Sequence, residues 1–152
     1  MTATQLTSVL GLIFGVVGTV LGVLNYLRDR AHVQVTLQWD MAVTPGGKHD
    51  HRKLWGLVRV ANLGRRPIFV SHVAIRLPRG FEYSHIVVDE GLGGVKLGEG
   101  DPIHGFVVSQ DGLEKYASSW TKLVAQVTDA SGQEWRSKPA PKDRVPSWAK
   151  PR

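Results

Sequence analysis

Lys48-His49-Asp50-His51 sets two imidazoles and a carboxylate within four consecutive residues, the donor types that bind zinc or nickel. On an extended backbone His49 and His51 would face the same side. A tetrahedral site needs further ligands, and no other histidine or acid stands at a recognised spacing from this pair. The segment therefore reads as a polar turn, with no metal expected. The other histidines, His32, His72, His85 and His104, fall in or beside strand-like runs, where structural or exposed roles suffice. A serine nucleophile needs an activating base and a defined turn around it. Neither Ser109 nor Ser131 lies in a Gly-x-Ser-x-Gly setting.

The sequence contains no cysteine, which excludes disulfides, thiolate metal sites and a thiol nucleophile. The glycine-rich segment GLGGVKLGEGD, residues 91–101, lacks the spacing of a phosphate-binding loop and is followed by no strong helix pattern. It predicts flexible turns. Glu99, Asp101 and Asp111 do not repeat the spacing of a calcium loop. No catalytic residue, cofactor-binding residue or metal ligand is assigned, and the chain reads as non-enzymatic.

What must position any functional surface begins with SVLGLIFGVVGTVLGVLNYLRDR, residues 8–30. Residues 9–27 run nineteen positions without a charge, interrupted only by Thr19, Asn25 and the Tyr26 hydroxyl. As a helix this run is about 28 Å long, close to the ~30 Å hydrocarbon layer of a bilayer. A secretion signal would carry basic residues before the apolar run and a small-residue cleavage site after it. Residues 1–7 hold no charged side chain, and the run ends in Tyr-Leu-Arg-Asp-Arg. These flanks predict a retained single-pass anchor over 1–30. With Arg28 and Arg30 on its carboxyl side, the positive-inside rule places the N-terminus outside and the remaining chain in the cytoplasm.

Within this helix Thr4, Ser8, Gly11, Gly15, Gly18, Gly22 and Asn25 follow one another at intervals alternating between four and three. That rhythm lays them along one face. Gly11-x-x-x-Gly15 and Gly18-x-x-x-Gly22 are small-residue pairs of the kind that lets membrane helices approach closely, so a homo- or hetero-oligomer through this helix is expected.

Beyond the anchor the pattern is that of strands. In HVQVTLQWD, Val33, Val35, Leu37 and Trp39 alternate with His32, Gln34, Thr36, Gln38 and Asp40, which predicts a half-wet strand over 32–40. KLWGLVRVAN follows, with Val58 and Val60 on one face and Trp55 and Leu57 on the other. IFVSHVAIRLP groups Phe69, Val73, Ile75 and Leu77, and the intervening NLGRRP suggests a hairpin between these two strands. Shorter strands are predicted over 84–89, 103–109, 123–128 and 133–137, the last two joined by an Asp-Ala-Ser-Gly turn. Residues 111–118 read as a helical turn.

Seven short strands in about 110 residues fit one domain, an all-β, immunoglobulin-like sandwich over 31–138. The segments VRVANLGRRPIFVSHVAI and AQVTDASGQEWRS resemble a loose group of bacterial and phage proteins with one N-terminal transmembrane helix and a small immunoglobulin-like β-sandwich. The resemblance rests on turn residues, Asn62, Gly64 and Pro67 in one turn and Asp129 and Gly132 in another. It implies architecture and transfers no catalytic residue.

The proline-rich tail, 139–152, is basic, and much of the chain's net charge of +6 comes from it and the adjoining Lys138. Lys142, Arg144, Trp148, Lys150 and Arg152 could together touch an anionic surface, which for an anchored chain is the bilayer. Nucleic acid would need a denser basic face. The expectation is therefore a membrane-anchored interaction or adaptor module with an unidentified protein partner. The alternative is a structural component of a phage or membrane assembly, with the apolar helix packed on protein or lipid.

Overall fold

The computed structural model describes residues 2–151. One α-helix, α1 (Ala3–Arg28), precedes eight strands: β1 (Val33–Met41), β2 (Trp55–Asn62), β3 (Ile68–Arg76), β4 (His85–Val87), β5 (Val95–Leu97), β6 (His104–Ser109), β7 (Val124–Asp129) and β8 (Glu134–Arg136). The Gln5 side chain opens α1 by accepting the Thr2 amide at 3.0 Å. No residue of the helix is buried.

The strands form two antiparallel sheets. One has the order β1-β2-β6, the other β4-β3-β7-β8, with β5 also paired to β3. Alternation within the strands turns Val58, Val60 and Phe106 of the first sheet towards Val70, Val73, Ile75 and Val127 of the second, all at most 1% exposed. Val35 is buried as well, with Val33, Leu37 and Trp39 packed at the core's margin, so β1 carries the predicted period of two.

NLGRRP does not close a hairpin. β2 and β3 belong to different sheets, and residues 63–67 carry the chain across the sandwich. Buried Asn62 makes this crossing: its Oδ1 accepts the Gly64 amide at 3.0 Å, while its Nδ2 donates to the carbonyls of Arg66 (2.9 Å) and Leu97 (3.0 Å). Those bonds turn the chain out of the first ladder.

A second departure lies in β3, where a register shift between Val70 and His72 changes the phase of the strand. Ile68 and Val70 face inward before it, Val73, Ile75 and Leu77 after it, and Phe69 stands half exposed. The glycine-rich segment also contains β5, whose Leu97 enters the core. The helical turn expected over 111–118 is the first of two short 3-10 turns within Leu113–Lys122, separated by a kink at Ser119, and it buries Leu113 and Tyr116. The Asp-Ala-Ser-Gly turn does join β7 to β8: Asp129 Oδ1 accepts the Ser131 and Gln133 amides at 2.8 and 2.9 Å, and Gly132 takes the left-handed φ of +83° that favours glycine.

Candidate functional site

The surface of α1 is the most unusual on the molecule. Apolar side chains project on every side, among them Leu12, Phe14, Val16, Leu21 and Leu24, each more than half exposed. A helix apolar all round and packed against nothing is long enough to cross a bilayer. The hydroxyls of Thr7, Ser8 and Thr19 are satisfied within the helix: Thr7 and Ser8 each donate to Thr4 O at 2.9 Å and Thr19 donates to Gly15 O at 2.8 Å. Low-dielectric surroundings require such pairing. Gly11, Gly15, Gly18 and Gly22 line the small-residue face with Ser8 and Asn25, and no heavy atom would meet an added Cβ at any of the four glycines. The stripe is open to a second helix.

Where α1 ends, the crossing loop meets it. The Leu63 amide donates to His32 O at 2.7 Å, and Gly64 lies so close to the backbone of residues 30–32 that an added Cβ would sit 2.6 Å from His32 N. Glycine is required there by that approach. The contact brings Arg65 and Arg66 beside Tyr26, Asp29 and Arg30, and the five residues line one open cleft at the helix end.

The tail is folded onto the sandwich. Trp148 is 9% exposed, its ring edge-on to Trp39 at 5.5 Å between centroids and 81° between planes. Asp40, in the left-handed region at φ +59° within the bulged end of β1, accepts the Ser147 amide at 2.7 Å and the Ser147 hydroxyl at 2.6 Å. Lys142, Arg144 and Lys150 are exposed, Trp148 is in the core, and Arg152 lies outside the described residues. Ser147 is thus fixed near the end of β1 away from α1, about 24 Å along the strand from Val33.

A second cleft lies at this helix-distal end, where Tyr83, Trp55 and Tyr116 surround an ionic cluster. Glu90 Oε1 meets Lys48 Nζ at 2.8 Å and His49 Nε2 at 3.2 Å, and Glu90 Oε2 accepts the Val107 amide on the outer edge of β6 at 3.1 Å. Burial alone would raise the Glu90 pKa; the Lys48 hydrogen bond, the Val107 amide and the charges of Lys48 and His49 outweigh it and hold the carboxyl below its ordinary value. A carboxylate so engaged is a strand-edge clamp, with little freedom to act as a base.

His49 stacks against Trp55, while His51 stands exposed on the adjoining turn. Among the described residues no three His, Cys, Asp or Glu side chains gather as metal ligands would. Ser109 accepts the Asp111 amide at 3.2 Å, and the Ser131 hydroxyl donates to Asp129 at 2.6 Å; neither bonds a histidine. His72 and His85 stand beside Ser71 and Ser84, and His104 stacks on Phe106.

The arginine cleft is not legible in the sequence, where residues 65–66 read as a hairpin tip. Its available signal was Gly64 within a doubly basic turn. No protein-family model and no curated protein matches the chain.

Proposed function

We propose that this chain is a single-pass membrane protein that presents an immunoglobulin-like β-sandwich at the cytoplasmic membrane face as a non-enzymatic interaction module. The observation that carries this reading is α1 itself: twenty-six residues, apolar around the whole circumference, with none buried against the sandwich. In water that surface would drive aggregation; in lipid it is at rest. The immunoglobulin-like assignment is supported by the strand order β1-β2-β6 facing β4-β3-β7-β8, in which β2 to β3 and β6 to β7 both change sheet.

Orientation is supported by the concentration of Arg28, Arg30, Arg65 and Arg66 at the carboxyl end of the helix. The open glycine face with Ser8 and Asn25 supports association through the membrane, with a second copy or another helix. The sandwich is then the part left free to meet a protein partner.

Carbonate washing of membranes followed by protease treatment of right-side-out vesicles tests the reading. The chain should stay in the pellet and the sandwich should resist external protease. Release into the supernatant removes the anchor, and digestion of the sandwich from outside reverses the orientation.

A further inference from the structure

The junction of α1 with the sandwich brings together groups that are far apart in sequence. Arg30 follows the helix, Arg65 and Arg66 come from the crossing loop, and Tyr26 closes the apolar run on the same cleft. We infer that this cleft binds the phosphate of an anionic phospholipid in the leaflet that the carboxyl end of α1 reaches. The inference rests on the membrane reading above and adds to it a ligand class and a site.

The loop holding Arg65 and Arg66 is fixed before any ligand arrives, by Leu63 N to His32 O at 2.7 Å, by the packing of Gly64 on residues 30–32, and by the buried Asn62 bonds. Preorganisation of this kind lowers the ordering cost of binding. None of the three guanidinium groups is held in a close ion pair among the described residues. Arg65 Nε lies 3.7 Å from Glu99 Oε1, with the side chains 40% and 64% exposed, a loose surface pair that contributes little. Arg30 and Arg66 form no ion pair among the described residues, although the Asp129 carboxylate, whose pKa burial raises and the bonds to Ser131 and Gln133 lower, also feels the charge of Arg66. Asp29 is the one acid lining the cleft, against three arginines.

Position selects the occupant. Arg30 lies over the Tyr26 ring at 5.2 Å, and Tyr26 is 66% exposed, the arrangement of an aromatic residue at headgroup depth. Leu63, 61% exposed, projects from the same loop. Three forked guanidinium groups at the level where the apolar run ends face lipid phosphate, and planar forks suit phosphate oxygens better than point charges do.

The test uses the full chain in phosphatidylcholine nanodiscs doped with spin-labelled phosphatidylglycerol or spin-labelled phosphatidylcholine. The motionally restricted fraction of each label gives their relative association. The parent should prefer phosphatidylglycerol, and Arg65→Gln and Arg66→Gln should each lower that preference about fivefold, corresponding to ~1 kcal/mol per cation. Arg144→Gln, the same loss of one charge on the tail where it lines a cleft with Trp39, Asp40 and Met41, should leave it unchanged. Arg65→Lys with Arg66→Lys preserves charge and should keep a preference, weaker than the parent's because the planar forks are lost, which separates electrostatics from loss of the loop fold.

A restricted fraction with no preference in the parent overturns the inference while the anchor stands. Absence of any restricted fraction overturns both. Equal losses in the loop and tail variants reduce the effect to net charge and remove the site. Loss of preference on adding inorganic phosphate, but not sodium chloride of the same ionic strength, reassigns the cleft to a free anion and refutes the lipid assignment.

Discussion

Replacing Trp148 by Ala should detach the tail from the sandwich. The indole is 9% exposed and meets Trp39 edge-on at 5.5 Å, so its removal deletes a buried aromatic and the partner's packing together. Buried Trp to Ala changes cost about 3–5 kcal/mol. Trp148 lies near the end of the described chain, where the strain of a cavity can be relieved by the tail leaving its seat. The loss is therefore limited to the tail's own docking free energy, and about 3 kcal/mol is expected. With a urea slope of about 2 kcal/mol/M for a domain of this size, the midpoint falls by about 1.5 M.

The assay is urea unfolding of the full chain in detergent micelles, followed by far-ultraviolet circular dichroism. Trp148→Phe keeps a ring against Trp39 and should lose less than about 1.5 kcal/mol. Tryptic cleavage after Arg144 supplies an independent readout, slow in the parent and fast in the Ala variant. A midpoint change below about 0.5 M, with Arg144 cut equally fast in both proteins, would mean that the tail is not held and that the Asp40–Ser147 clamp contributes nothing.

Glu90→Gln should destabilise the protein near neutral pH by about 1.5 kcal/mol, through weakened bonds to Lys48 and Val107. Because the folded-state pKa of Glu90 is depressed, its contribution is complete above the ordinary value of 4.5 and is lost as pH falls through the lowered one. Urea midpoints should therefore converge between parent and variant in acid, and a constant difference across the titration would contradict the clamp. In the membrane, Gly15→Leu with Gly18→Leu should weaken helix self-association in a two-hybrid membrane reporter without reducing insertion. Val16→Leu with Val20→Leu, off the stripe, should not, and equal signals from all three would leave the glycines without an association role.

What could be read from the sequence was local. The alternation of Val33, Val35, Leu37 and Trp39 fixes which face of β1 turns inward, because side chains on a strand have a period of two. The Asp129 turn is likewise a short-range bond pattern, closed within five residues. Which sheet a strand joins is not local. NLGRRP looks like a hairpin loop by composition, and only the partners of Asn62, one of them Leu97 thirty-five residues away, turn it into a crossing. Phe69 illustrates the same limit: one bulge in β3 reverses the faces that alternation assigns before it. The short β5 was hidden because three residues among glycines offer too little periodicity to register, although Leu97 sits in the core.

The two basic segments show how this limit reaches function. Composition makes 138–152 the cationic region of the chain, and in sequence it is the natural candidate to meet an anionic surface. Folding moves its anchoring residues away from α1, since Asp40 holds Ser147 at the far end of β1 and Trp39 takes Trp148 into the core. Across about 24 Å of strand, more than two Debye lengths at physiological salt, charge near Ser147 adds little at the helix end. Arg65 and Arg66, an unremarkable pair in a turn, are carried to that end because Asn62 forces the crossing and Gly64 permits the backbone contact. Arg30 reaches the helix end by sequence and Lys138 lines a neighbouring cleft with His32 and Leu63, but the two arginines of the loop are there through two uncharged residues, Asn62 and Gly64, whose replacement would disturb the site without altering the net charge of the chain.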